Sequence, residues 1–206
     1  RQVIMYEKKF SNIKNKSKKL QFSKNEINSI LKTIDKKLKK SIDTAFTRIK
    51  YFHSKQTYSA FKYRDKYKNE LAYKYSPIER VGVYVPGGTA SYPSTVLMNC
   101  IPALVAGVKN IYLTTPAFGT AVNPAVIYAA KKCGVKEIYK TGGAHSIAAL
   151  AYGTKTFKKV DKIVGPGNAF VASAKKEVFG EVGIDMVAGP SEVSICLLYT
   201  SDAADD

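Results

Sequence analysis

Four residues with hydrogen-bonding side chains stand beside glycine-rich turns. Tyr84 precedes Pro86-Gly87-Gly88, His145 follows Gly142-Gly143, Asn168 follows Gly165-Pro166-Gly167, and Ser191 follows Gly189-Pro190. Glycine lets a backbone approach a ligand closely, and Tyr, His, Asn and Ser supply hydrogen bonds without a fixed charge. Such a set suits a nucleotide or another polar metabolite, without saying which. The G-x-G-x-x-G dinucleotide fingerprint is absent, because Phe170 stands where the third glycine would follow Gly165 and Gly167. No nucleophile elbow, P-loop or metal-ligand spacing is present. The chain has two histidines, His53 and His145, and neither has a partner at ligand spacing. An imidazole can act as a general base near neutral pH, but no carboxylate adjoins His145 in sequence, so that role is not assigned.

These residues need elements to carry them. Five short β-rich runs, "VGVYV" before "PGG", then "NIYLTTP", "KEIYKTGG", "DKIVGPG" and "GIDMVAGP", are each closed by Gly or Pro. Helical segments begin between them, near Ser94, Asn123, His145 and Asn168, and Asn123-Pro124 reads as an N-cap followed by Pro at the first helical position. Strands alternating with helices indicate βαβ units and a parallel sheet. Residues 81–190 therefore read as a Rossmann-like, doubly wound α/β module. In such sheets ligands bind beyond the carboxyl ends of the strands, where all four glycine turns fall.

The first 80 residues have a different texture. Ser23 and Glu26 form a capping box, and Phe22 with Ile27 forms its hydrophobic staple. Apolar residues then recur with helical period from Ile27 to Phe52, predicting one helix over residues 23–54 with lysines on its outer face. Residues 55–78 are aromatic and basic without a firm period, and read as a connector packing its rings on a neighbouring domain. Residues 1–80 are thus a lysine-rich helical region, part of an incomplete domain. Residues 191–195 read as a return strand into that domain.

The chain has 206 residues and a formal charge of +17. Residues 1–80 carry 22 Lys and Arg against 7 acids, so the charge is concentrated there. Of the 33 basic residues 29 are Lys, whereas Arg is the better reader of phosphate and base edges, so a solvated helical surface is favoured over nucleic-acid binding. Cys100, Cys133 and Cys196 are odd in number and lack a CxxC pair, which fits buried thiols in a reducing cytoplasm. There is no long apolar run for a membrane span and no signal-peptide pattern at the start.

The segments "VGVYVPGGTASYPSTVLMNCIPALVAGV", "EIYKTGGAHSIAALAYGT", "VDKIVGPGNAFVASAKKEVFG" and "GIDMVAGPSEV" resemble histidinol dehydrogenase, in order, over residues 81–193. The resemblance implies a zinc enzyme that oxidises L-histidinol to L-histidine through the aldehyde with two NAD, as a homodimer. It implies that Tyr84, His145 and Asn168 contact NAD and that Ser191 contacts substrate. The family normally carries Gln where this chain has His145. The family's zinc ligands and its proton-transferring Glu-His pair lie beyond the "GPSEV" segment, so the resemblance implies a chain without turnover of its own. Residues 196–206, "CLLYTSDAADD", resemble translated transposon-end sequencing adapter and are read as non-native. A basic nucleic-acid-binding protein and another NAD-dependent α/β dehydrogenase are the alternatives.

Overall fold

A computed structural model describes residues 2–10, 19–87, 92–117 and 122–187. Ser191 and the 196–206 segment, including Cys196, lie outside the described residues. The five β-rich runs all form strands: β3 (Arg80–Tyr84), β4 (Asn110–Thr114), β5 (Glu137–Tyr139), β6 (Lys162–Val164) and β7 (Gly183–Ile184). An antiparallel hairpin, β1 (Phe61–Arg64) and β2 (Glu70–Tyr73), precedes them. The five pair in the order β5-β4-β3-β6-β7, every pair parallel. Successive strands run one way from β3 and then jump to its other side, which is the doubly wound arrangement.

Strand alternation divides the core. Val81, Val83, Ile111, Leu113 and Ile138 face one side, against helices α4 (Pro93–Val105) and α5 (Pro124–Lys132). Tyr84, Tyr112, Tyr139 and Ile163 face the other, with α6 (Gly143–Tyr152) and α7 (Ala169–Val178). Period-two side-chain direction is sufficient to explain the split. Gly82 carries no side chain toward the second layer, where a Cβ would sit 3.0 Å from Leu150, so α6 packs close to the sheet. Asn123 caps α5 through Oδ1, which accepts from the Ala125 N–H at 2.8 Å, and Gly134 closes that helix at φ +70°.

The amino-terminal helices are α1 (Gln2–Phe10), α2 (Lys24–Leu31) and α3 (Lys36–Ser54). The capping box is present as read: the Ser23 N–H donates to Glu26, and the Glu26 N–H donates to Ser23 Oγ. The single helix expected over residues 23–54 is instead two helices. Asp35 Oδ2 accepts from the Leu38 N–H at 2.8 Å and starts α3 afresh, an alternative that a short acidic side chain offers the backbone. Ile42, on α3, is buried, and Tyr128 of α5 donates to Asp43 at 2.8 Å. Burial and then that carboxylate push the Tyr128 phenol up to about 12.

Residues 55–78 also differ from expectation. They contain the hairpin, and among the described residues its rings stack on one another: Phe61 on Tyr73 at 5.8 Å and Tyr58 on Tyr75 at 5.0 Å. Every residue of both strands is exposed. Asp65 organises the turn, accepting from the N–H groups of Tyr67 and Asn69 and from the Asn69 side-chain amide. Strands of four residues are too short to set a firm period, and Asp-Lys-Tyr-Lys-Asn lacks the Gly that usually announces a hairpin.

Candidate functional site at the carboxyl edge of the sheet

The strand order reverses between β3 and β6, and the loops after those strands meet there. Gly165, just after β6, has φ +113°, and a Cβ on it would lie 2.1 Å from the Tyr84 carbonyl oxygen. Gly142, after β5, is equally confined, since its Cβ would lie 2.2 Å from Pro116 after β4. Gly87 also abuts Pro116. At Gly142 and Gly165 the absent side chain therefore serves contact between loops, whereas the sequence suggested an approach to a ligand. The loops form one packed rim at the switch point, where open α/β sheets bind ligands.

Tyr84 and His145 are brought together on this rim. The Tyr84 hydroxyl oxygen accepts from the Gly143 N–H at 3.2 Å, which leaves its own proton free to donate. Burial pushes the phenol above its ordinary value, the Gly143 hydrogen bond partly opposes this, and the charge of Glu7 adds to it. Tyr84 is thus a neutral donor across the physiological range. His145 stands in the first turn of α6, two residues after Gly143, with its ring stacked on Tyr6 of α1 at 6.0 Å. Thr114, at the end of β4, donates to the Thr141 carbonyl at 2.6 Å and holds the loop between β5 and α6 in place.

Asn168 opens α7 on the neighbouring loop, and its Oδ1 accepts from the Val171 N–H at 3.1 Å. Its carbonyl is committed to the helix cap, and its amide N–H groups have no protein acceptor among the described residues. No hydrogen bond joins Asn168 to Tyr84 or His145 among the described residues; they share the rim through the abutment of Gly165 on Tyr84.

Three further residues escape a linear reading. Glu7 of α1 is buried against the rim, with its Oε2 2.6 Å from His145 Nε2. Lys175 of α7 is buried and donates to the Gly165 carbonyl at 2.5 Å and to Asp185 Oδ1 at 2.6 Å. Asp185 in turn accepts from the Gly165 N–H at 2.8 Å. A signal existed for two of these charges. Glu7 follows Val3 by four residues, and Lys175 lies between Val171 and Val178 at helical spacing, so both sit on apolar helix faces.

The family model for histidinol dehydrogenase matches residues 1–204. The chain belongs to the histidinol dehydrogenase family. It is 57% identical over 194 residues to the histidinol dehydrogenase of Pelagibacter ubique, covering 94% of this chain and 44% of that protein. It is 51% identical over 193 residues to the enzyme of Mesorhizobium japonicum, with 94% and 45% coverage. The crystal structure of histidinol dehydrogenase from Elizabethkingia anophelis superposes with a TM-score of 0.86 at 40% identity, covering 92% of this chain and 44% of that one. The chain thus spans less than half the length of these relatives. The match extends to residue 204, into the segment 196–206 that the sequence reads as non-native.

Histidinol dehydrogenases of this family imply zinc. Among the described residues no group of three His, Cys, Asp or Glu side chains could hold a metal, so these residues do not fit that ion. The buried Cys100 and Cys133 are free thiols. Each is the other's neighbour, and that contact, together with burial, holds the Cys100 thiol well above its ordinary range. No described helix is long and apolar enough to cross a membrane.

Proposed function

We propose that this chain is the amino-terminal part of an NAD- and zinc-dependent histidinol dehydrogenase, which takes L-histidinol to L-histidine through the aldehyde. Residues 81–190 are its NAD-contacting module, with Tyr84, His145 and Asn168 as cofactor contacts and Ser191 as a substrate contact. The observation that carries this reading is the rim at the switch point, where a buried neutral Tyr84 donor adjoins the first turn of α6. The N-terminal end of α7 at the same edge favours an anionic group such as a pyrophosphate. Tyr84 would donate its free proton to a polar atom of the cofactor, and the Asn168 amide would do the same from the next loop. When bound, NAD supplies the acceptor for the hydride that leaves the alcohol carbon.

The 206-residue polypeptide by itself is without turnover in this reading, because the resemblance places the zinc ligands and the Glu-His pair beyond the "GPSEV" segment. The homodimer of the family and a cytoplasmic setting remain part of the proposal for the whole protein. Calorimetric titration of NAD into the chain tests the module. Tyr84→Phe is expected to weaken binding roughly fivefold to tenfold, the loss of about one hydrogen bond. Wild-type protein that takes up no NAD overturns the assignment of the rim. Histidinol-dependent NADH formation with zinc supplied, above a no-enzyme control, overturns the claim of inactivity.

A further inference from the structure

The carboxylate that the sequence withholds from His145 is supplied by the fold, from 138 positions away. Glu7 projects from the face of α1 that carries Val3, which packs on the layer beneath α6. Among the described residues its Oε2 meets three donors: Thr141 Oγ1 at 2.5 Å, the Gly142 N–H at 3.4 Å and His145 Nε2 at 2.6 Å. A backbone N–H can only donate, so Oε2 is an acceptor at this junction, and with the carboxylate ionised it has no proton to give. The hydrogen between Glu7 and His145 therefore belongs to Nε2. In the neutral ring the lone pair then lies on Nδ1.

Nδ1 has no hydrogen-bond partner among the described residues, and it is not sealed from solvent. It lies close over Gly143, where a Cβ would be 3.5 Å away, and Gly143 is the residue that donates to Tyr84. The donor of Tyr84 and the lone pair of His145 thus adjoin the same stretch of backbone. The Tyr6 ring stacked on the imidazole restricts it further.

We propose that Glu7 is a positioning residue for His145. It binds the Nε2–H on the inner side and presents Nδ1 to the rim as a hydrogen-bond acceptor, so this position takes a donor group of the cofactor, an amide or a hydroxyl. This rests on the reading of the rim as an NAD site. A glutamine here would offer either end of its amide, whereas His145 backed by Glu7 offers one. The same carboxylate makes α1, across the whole described chain, part of the site.

The test uses the full chain with nitrogen-15 histidine, in long-range proton–nitrogen spectra at a pH where a free imidazole is neutral, and His53→Gln assigns the signals. The expected wild-type pattern is a single tautomer of His145, protonated at Nε2. Glu7→Gln keeps it, because the amide oxygen still accepts, and Glu7→Leu releases the mixed pattern of a free imidazole. A wild-type ring protonated at Nδ1 overturns the proposal without any variant, and so does a tautomer indifferent to Glu7→Leu. In NAD titrations, Glu7→Leu is expected to weaken binding about fivefold to tenfold, but to change nothing in a His145→Gln background. An equal loss in both backgrounds shows a merely structural role and sinks the proposal. Absence of NAD binding to wild type defeats the reading of the rim, while the tautomer still decides whether Glu7 sets the ring.

Discussion

Lys175 Nζ lies 2.6 Å from Asp185 Oδ1 and 2.5 Å from the Gly165 carbonyl oxygen, so one buried ammonium joins α7, the end of β7 and the loop after β6. The loop it holds is the one that abuts Tyr84 and leads into Asn168. A long, flexible side chain is here the fastener of the rim.

Removing that ammonium leaves Asp185 charged and without its partner, while the Gly165 carbonyl loses its donor. The ammonium is buried but Asp185 is exposed, so solvent screens the stranded carboxylate, and with the unmade Gly165 hydrogen bond the loss is about 2 kcal/mol. Lys175→Met is expected to lower the urea midpoint accordingly, with an unchanged slope. The double variant Lys175→Met with Asp185→Asn should recover part of the loss, since no charge is then stranded. A single variant within 1 kcal/mol of wild type, a small surface effect by ordinary standards, counts against the fastening role.

The same pair sets a pH dependence. Burial raises the Asp185 carboxyl, but Lys175 and the N–H groups of Gly165 and Met186 outweigh it and hold it below the ordinary carboxylate value. A depressed folded-state value means stability fully present above the unfolded value, about 3.9, and lost as pH falls through the folded value. Glu26, tied to Lys140 and to the Ser23 N–H, is lowered in the same sense. Thermal melts from pH 7 down to pH 2 should fall most steeply in the acid region, and Asp185→Asn should flatten that fall. Equal slopes in the two proteins would remove Asp185 from the account.

Two glycines with positive φ separate backbone strain from crowding. Gly134 has φ +70° and open space around its missing Cβ, so Gly134→Ala meets only the left-handed penalty, about 1 kcal/mol. Gly165 has φ +113°, and its Cβ would collide with the Tyr84 carbonyl. Gly165→Ala is expected to cost at least twice as much and to weaken NAD binding as well, because the rim must open. Similar losses in chemical denaturation for both variants contradict this assignment.

Asn168 has two separable functions in this account, a cap and a cofactor contact. Asn168→Ala should cost about 1 kcal/mol of stability, the value of a lost N-cap. Asn168→Ser should keep the cap, because a hydroxyl also accepts from the Val171 N–H, and still lose the amide donors. A serine variant with wild-type stability and weakened NAD binding is the expected result. Undiminished NAD affinity in both variants would leave Asn168 as a cap alone.

What was legible in the sequence was whatever neighbours along the chain determine. The five strands, the capping box at Ser23 and the Asn123-Pro124 start of α5 all follow from period, cap chemistry and turn residues within a few positions. So does the placement of Tyr84, His145 and Asn168 at the carboxyl edge, because parallel strands put every following loop at one end. The break at Asp35 was missed because apolar spacing continues across it, from Ile34 to Leu38, while the decisive event is a single side-chain hydrogen bond.

The tertiary structure decided which distant groups share an atom. No periodicity foretells that Glu7 meets His145, or that Lys175 and Asp185 clasp the loop at Gly165, since burying a charge is tolerated only when folding delivers its partner. The glycines followed the same logic: sequence showed that a close approach was needed, and only the packed rim showed that Pro116 and the Tyr84 carbonyl are what approach. Local chemistry chose the elements and their order, and the convergence of the loops at the switch point chose the contacts, because chain neighbours act at every stage of folding while partners carried on different strands and helices meet only once the sheet has formed.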